Sequence, residues 1–312
     1  MGKKPISFPV RKPVSYKTLP NESIRLVRAP CSVSETPIHR NSFTPINTPK
    51  SIYHLRNPLE TFITLANRLA DAAREIILSN YRKPIAVEDK PDHTPVTAVD
   101  RAVETELRRI IGLAYPDHGI IGEEAGAHQP DAEYVWVIDP IDGTKAFLCG
   151  IPVFGTLIAL TRRGIPILGI IDQPVNRERW LGVQNRPTTL NGAWIATRRC
   201  QDLTFATLCA TTPEMFAGPA ANSFQRLTDA VRMSRFGTDC YGYGLLATGF
   251  VDLVVEADLS PYDYLAHAPI VQGAGGVITD WEGRTLTLDC GASRLVAAGG
   301  SDLHRAVIEL LA

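Results

Sequence analysis

The stretch YVWVIDPIDGTKAF, residues 134–147, constrains the fold more tightly than any other part of the chain. Val135, Trp136, Val137 and Ile138 are apolar at consecutive positions. That is too apolar for a strand facing water, so a buried strand in a layered protein is expected there. Asp139 then emerges where the strand ends, and ligands of open sheets gather outside the carboxyl ends of strands. Pro140 fixes φ and removes a donor, which stiffens the step to Asp142. Gly143 permits close backbone approach, and the N–H groups that follow it suit an anion. Two rigidly placed carboxylates beside such a cradle fit hard divalent cations and a phosphate. The same residue string also occurs in ordinary turns, where Asp and Gly serve local geometry.

The rest of the chain supplies the covering layers. Leu59, Phe62, Ile63, Ala66, Leu69, Ala70, Ala73, Ile76 and Ile77 recur at helical spacing, which predicts an amphipathic helix from about 58 to 80. A second helix follows Thr97, with Thr97 and Asp100 as a capping box and Val103, Leu107, Ile110 and Ile111 as its buried stripe. Strand-like runs at 119–122, 134–139, 153–160 and 165–171 predict an antiparallel sheet under these two helices, an α+β unit. Beyond a boundary placed near 195 the pattern alternates. Strands are expected near 205–210, 251–256, 277–280 and 295–298, with helices near 222–232, from about 240, from Pro261 and from Asp302. Pro269, inside the helix from Pro261, should kink it.

Three segments follow: a disordered basic tail over 1–56, an α+β metal-binding domain over 57–195 and an α/β substrate domain over 196–312. Residues 1–50 carry nine Lys/Arg against Glu22 and Glu35, about +7, so the formal net charge of −1 leaves roughly −8 on the remainder. A mildly acidic body argues against general nucleic-acid binding and suits a protein that collects cations. The basic, acid-poor start also fits an organelle transit peptide or an over-extended start codon, so the cytoplasm is the expected location and an organelle the alternative. No apolar run reaches membrane-spanning length. The six cysteines (31, 149, 200, 209, 240 and 290) show no metal-ligand spacing and read as reduced packing residues. Cys149, close to the acidic motif, is read the same way.

Other acids bear on the same chemistry. Glu123 and Glu124 follow the short strand GIIG, either as a solvated pair or as site residues. Asp100 and Asp263 each occupy the third position of a capping box, opened by Thr97 and Ser260. Capping is one reading; the other is that the helix N-terminus keeps a functional carboxylate ionised. Asp239 either caps the helix from 240 or faces a ligand.

TPVTAVD, GIIGEEAG, WVIDPIDGTKAF and SPYDYLAHAPIVQGAGGVITDWEG occur in the order and spacing of the inositol monophosphatase superfamily, which the chain resembles over about residues 57–312. The resemblance implies a layered α-β-α-β-α sandwich of the inositol monophosphatase and fructose-1,6-bisphosphatase type. It also implies a magnesium-dependent phosphomonoesterase with two or three Mg²⁺ per site. By the same resemblance, Glu123, Asp139 and the Ile141 carbonyl hold the first metal, and Asp139, Asp142 and Asp263 the second. Asp100 and Thr144 then activate the attacking water, with Glu123 in support. Gly143 and Thr144 offer backbone N–H groups to the phosphate. Gly237, Thr238, Asp239, Glu256 and Asp263 face the substrate. A homodimer is the family's usual assembly, and the partner a small phosphate ester rather than a membrane or nucleic acid.

The chemistry agrees with that assignment. A phosphate monoester dianion repels hydroxide, and two cations roughly 3.5–4 Å apart neutralise it and acidify water. An all-oxygen donor set suits Mg²⁺ rather than zinc. Within the superfamily, DGTKAF, GIPVFGTLIAL, Tyr262 before Asp263 and Asp239 in the substrate loop resemble the histidinol-phosphatase branch. L-Histidinol phosphate is therefore the expected substrate, with Asp239 and Glu256 facing its cationic body. Inositol 1-phosphate or another small ester is the alternative. Some superfamily members are partners of RNA or transcription complexes, and the basic tail gives that reading its only foothold.

Overall fold

Helix α1 (Pro58–Asn80) forms where the periodicity predicts it, with Phe62, Leu65, Ala66, Leu69, Ala70, Ala73 and Ile77 buried along one face. The computed structural model describes residues 58–89 and 95–312; the tail expected over 1–56 lies outside the described residues. A two-stranded ribbon, β1 (Val87–Asp89) with β2 (Pro95–Thr97), leads into α2 (Ala98–Ala114). Thr97 caps α2 with a full capping box, as its sequence requires.

The first sheet has eight strands: β3 (Gly119–Gly122), β4 (Gly126–His128), β5 (Tyr134–Asp142), β6 (Gly155–Arg162), β7 (Ile165–Gln173), β8 (Glu178–Val183), β9 (Thr189–Leu190) and β10 (Ala193–Trp194). Their spatial order is β10-β9-β8-β7-β6-β5-β3-β4. The expected antiparallel sheet is in fact mixed, because β3 and β5 run parallel. The short edge strand β4 lies between them in sequence and absorbs the crossover. The short helix α3 (Thr144–Cys149) follows β5 directly.

The second sheet has five strands: β11 (Thr207–Ala210), β12 (Met233–Phe236), β13 (Leu253–Glu256), β14 (Val277–Asp280) and β15 (Leu295–Ala298), in the order β12-β11-β13-β15-β14. Its helices are α4 (Pro219–Ala230), α5 (Asp239–Ala247), α6 (Pro261–Tyr264), α7 (His267–Gly273) and α8 (Ser301–Leu311). The helix expected from Pro261 is broken rather than bent, into α6 and α7. Pro269 has no N–H for the carbonyl four residues back, which falls in that break.

Three apolar clusters reveal the layering. Trp136, Ile138, Ile158, Leu160 and Ile170 of the first sheet pack under α1 and α2. Val135, Val137, Leu157, Ala159 and Ile171, on the opposite face, meet α5, α6 and α7, and so do Cys209, Val254 and Ala297 of the second sheet. The far face of the second sheet, with Leu208, Val255 and Val296, is covered by α4 and α8. The order is therefore α-β-α-β-α. The strict alternation along β5 (Val135 and Val137 one way, Trp136 and Ile138 the other) is the period-2 geometry of a strand buried on both faces.

Candidate active site

Strand β5 does not stop at Asp139, as its sequence suggested, but continues to Asp142 through an irregularity. Asp139 pairs with Leu157 and Asp142 with Gly155, so three steps on β5 oppose two on β6. One extra residue on one strand is a β-bulge. Its effect here is specific. In a regular strand, residues three apart point to opposite faces; the bulge turns Asp139 and Asp142 to the same face, that of Leu157. Pro140 lacks a ladder donor, and its carbonyl accepts Thr156 Oγ1 at 2.8 Å instead. Ile141 turns its side chain into the core beneath α1 and α2, and its carbonyl accepts Thr144 Oγ1 at 3.1 Å.

Asp263 arrives from the opposite side, at the third position of α6, with Oδ2 accepting the Ser260 N–H at 2.7 Å. Carboxylate oxygens of Asp139, Asp142 and Asp263 lie within 4.8 Å of one another. Glu123, directly after β3, acts on Asp139 and raises its pKa. Carboxylates crowded in this way are relieved by a proton or a cation. Burial, and then Glu123, Asp142 and Asp263, push the Asp139 carboxyl well above the usual range. Burial, then Asp239 and Asp263, do the same to Asp142, against a hydrogen bond from the Cys240 N–H to its Oδ2 at 2.6 Å.

This donor set fits a hard divalent cation. Asp139 is 2% exposed, and its Oδ1 has no hydrogen-bond partner among the described residues. An orphaned buried carboxylate oxygen amid like charges is costly unless a cation sits there. The triad is thus a candidate divalent-metal site.

Asp100 shows that capping and site placement are compatible. Its Oδ2 accepts the Thr97 N–H at 2.9 Å and the Thr97 hydroxyl at 2.5 Å. Its Oδ1 faces Thr144 Oγ1 at 3.4 Å. Burial raises its pKa, the Thr97 bonds oppose this, and Glu123 adds to the rise. Gly143 stands at φ 83°, the left-handed region, and a Cβ there would come within 3.0 Å of Asp239 Cγ. Glycine is what lets the chain turn at once from β5 into α3 with Asp239 alongside.

Gly237 and Thr238 form the turn into α5, with the Gly237 N–H on the Thr211 carbonyl at 2.8 Å. Asp239 is the first residue of α5, inside the helix rather than at its cap. Burial lifts its carboxyl to about 6, against the pull of Lys145. Glu256 lies one layer behind. Its Oε1 accepts the Thr211 N–H (3.0 Å) and hydroxyl (2.5 Å), and its Oε2 accepts the Tyr243 hydroxyl at 2.9 Å. Asp100, Glu123, Asp139, Ile141, Asp142, Thr144 and Asp263 therefore converge, Gly143 and Asp239 border them, and Glu256 is held by internal bonds.

Cys149 is exposed at the end of α3, not packed as expected; Cys209 and Cys240 are buried. A groove of about 590 Å³ between α1 and α2, bordered by Glu75, Ile76, Arg101 and Glu106, includes none of the clustered acids. The site is recognised by its chemistry, not by cavity size. One contributor escaped sequence reasoning: the Cys240 N–H, which is a backbone group with no signature in the sequence. No helix among the described residues is long and apolar enough to cross a membrane.

Known proteins resemble this chain in sequence and fold. The profile of the inositol monophosphatase family matches residues 58–312. The bifunctional phosphatase IMPL2, chloroplastic, of Arabidopsis thaliana is 48% identical over 261 residues, spanning 81% of this chain and 75% of that protein. A histidinol-phosphatase of Chlorobaculum parvum is 35% identical over 230 residues, 73% of this chain and 88% of its own. The solved structure of an inositol monophosphatase from Zymomonas mobilis superposes with a TM-score of 0.76 at 44% identity, covering 82% of this chain and 99% of that one. Fold and family together support phosphoric-monoester hydrolase activity. By sequence, by layer order and by its converging acids, the chain belongs to the inositol monophosphatase family.

Proposed function

We propose that the protein hydrolyses a small phosphate monoester with the help of Mg²⁺. The observation that carries this reading is the convergence of Asp139, Asp142 and Asp263 within 4.8 Å, from two elements far apart in sequence. Glu123, Asp139, Asp142, Asp263 and the Ile141 carbonyl would hold the ions. Bound there, Mg²⁺ supplies charge neutralisation for the phosphoryl oxygens and acidifies water. The chain's own residues do the rest. A water near Thr144 Oγ1 is oriented by that hydroxyl, and Asp100, facing it at 3.4 Å, takes the proton. The backbone N–H groups of Gly143 and Thr144 would position the phosphate. Water attacks phosphorus in line as the P–O ester bond breaks, the ester oxygen leaves as the alcohol after taking a proton from solvent, Asp100 returns its proton to solvent, and no covalent enzyme intermediate forms.

The family description and the Zymomonas mobilis structure support an inositol-phosphate-type ester. A second reading, L-histidinol phosphate, is favoured by one feature of the site: Asp239, half-buried beside Asp142 and Gly143, adds a carboxylate at the border of the acidic cluster, where a cationic leaving alcohol would be matched. Histidinol carries an ammonium and an imidazole, which such a carboxylate pairs with, whereas inositol offers only hydroxyls. The histidinol-phosphatase relative points the same way. Purified protein should be assayed on both esters side by side, with Mg²⁺ and with chelator. Chelator-insensitive turnover sinks the metal reading, and a clear preference for inositol 1-phosphate sinks the histidinol one. Location is a separate proposal: the cytoplasm, or an organelle if residues 1–50 are cleaved, decided by N-terminal sequencing of the mature protein.

A further inference from the structure

We infer that Glu104 is a positioning residue for the metal ligand Glu123, acting through a clamp it forms with Arg108. The inference rests on the metal-site reading above.

Glu104 follows Asp100 by one helical turn of α2 and is 1% exposed, although it is ionisable and lies among the apolar residues Val103 and Leu107. A carboxylate is that deeply buried only when its oxygens are matched. Here they are. Oε2 accepts the Glu124 N–H at 2.7 Å, and Oε1 accepts the Ala125 N–H at 2.9 Å. Arg108 Nε donates to Oε1 at 2.7 Å, and Arg108 Nη2 donates to the Gly126 carbonyl. The pair therefore grips Glu124 and Ala125 of the turn between β3 and β4, and Gly126, the first residue of β4.

The glycines that flank the turn fit around this grip. A Cβ on Gly122 would lie 2.3 Å from Glu104 Oε1 and 2.5 Å from its carboxyl carbon, so any side chain there would evict the carboxylate. Gly126 stands at φ 68°, the left-handed position that closes a three-residue hairpin loop. Glu123 opens that loop, and its charge raises the pKa of Asp139 and, to a smaller extent, that of Asp100.

The Glu123–Glu124 peptide unit carries the N–H that Glu104 holds. Rotation of that unit would swing the Glu123 side chain away from Asp139. Arg108 also neutralises Glu104, so the clamp adds no net charge beside an already acidic site. Outer-shell partners of this sort typically change metal affinity by about 10–100-fold.

The test is calorimetric titration of the full chain with Mn²⁺ alone, no substrate present, for wild type, Glu104→Gln and Arg108→Lys. In Glu104→Gln the side-chain amide offers one acceptor oxygen where the loop needs two, and its NH₂ would meet an N–H head-on. The expected result is a dissociation constant raised about 10–100-fold in Glu104→Gln and by a smaller factor in Arg108→Lys, with kcat restored at high cation. An unchanged dissociation constant with a lowered Tm makes the clamp merely structural and overturns the inference. If Glu104→Gln does not fold, Arg108→Lys decides alone by the same criterion. Wild type that binds no Mn²⁺ sinks the metal-site reading itself, a distinguishable failure.

Discussion

Loading the site with Mg²⁺ should stabilise the protein, and removing one carboxylate should abolish that gain. Asp139 and Asp142 are both pushed well above the carboxylate range by burial and by neighbouring carboxylates, which is free energy stored against folding in the absence of a cation. A cation that binds only the folded state contributes RT ln(1 + [L]/Kd), about 2.7 kcal/mol at a hundredfold excess over Kd. The described part of the chain unfolds with an entropy of about 0.5 kcal/mol/K, from roughly 2.1 cal/mol/K per residue. The expected shift is therefore about 5 °C in Tm. Differential scanning calorimetry at about pH 7.5, with saturating Mg²⁺ and with EDTA, reads it directly. Asp139→Asn removes the buried charge. The variant should melt higher than wild type in EDTA, shift by less than about 1 °C with Mg²⁺, and lose catalysis. Equal Mg²⁺ stabilisation of variant and wild type would refute the assignment of Asp139, as would an Asp139→Asn protein less stable than wild type in EDTA.

Other perturbations separate the remaining roles. Gly143→Ala forces a Cβ into the left-handed region and against Asp239, so Tm should fall by about 2 °C for a cost of roughly 1 kcal/mol, with a larger proportional loss in kcat. Asp239→Asn should lower kcat/KM for L-histidinol phosphate about 10–100-fold, the worth of a charge-assisted hydrogen bond, and leave inositol 1-phosphate nearly unaffected; equal losses on both esters would remove Asp239 from specificity. His267, stacked on Tyr243 at 3.9 Å, has its pKa pushed down to about 3 by burial, against about 6.5 unfolded. The unfolded chain thus binds a proton below about 6.5 that the folded one refuses. The neutral ring's contribution is complete above about 6.5 and is lost as pH falls toward about 3. His267→Phe keeps the stack, and the stability difference between wild type and variant should move in the variant's favour by about 2 kcal/mol from about pH 7 to about pH 5. A pH-independent difference contradicts the buried neutral imidazole.

Much of this architecture is visible in the chain because its elements carry local signals. The stripe from Phe62 to Ile77, the Thr97–Asp100 capping box and the alternation of 134–138 each point to one structure. Strands β8, β9, β10 and β12 leave weaker traces. Glu178 and Arg179 open β8 with charge because they serve neighbours: Arg179 pairs with the buried Asp172 at 2.6 Å. Strand β12 is an edge with mostly exposed side chains, so Met233-Ser-Arg-Phe236 shows no alternation. The acids themselves were legible as a set only through the family resemblance, since each has a bland local explanation. What no linear pattern expresses is the bulge between Asp139 and Asp142, a property of pairing with β6. The clamp on Glu123 is similarly hidden: a glutamate at the fourth position after Asp100 looks like a solvated helix residue until the loop at 122–126 folds over it.

The most direct measurement is an anomalous difference map from crystals of the protein soaked in Mn²⁺. The account predicts peaks within about 2.0–2.4 Å of carboxylate oxygens of Asp139, Asp142 and Asp263, the distances hard cations take from oxygen, and another shared by Glu123 and the Ile141 carbonyl. Mn²⁺ density elsewhere on the molecule, with these oxygens left without an ion at saturating concentration, would contradict it.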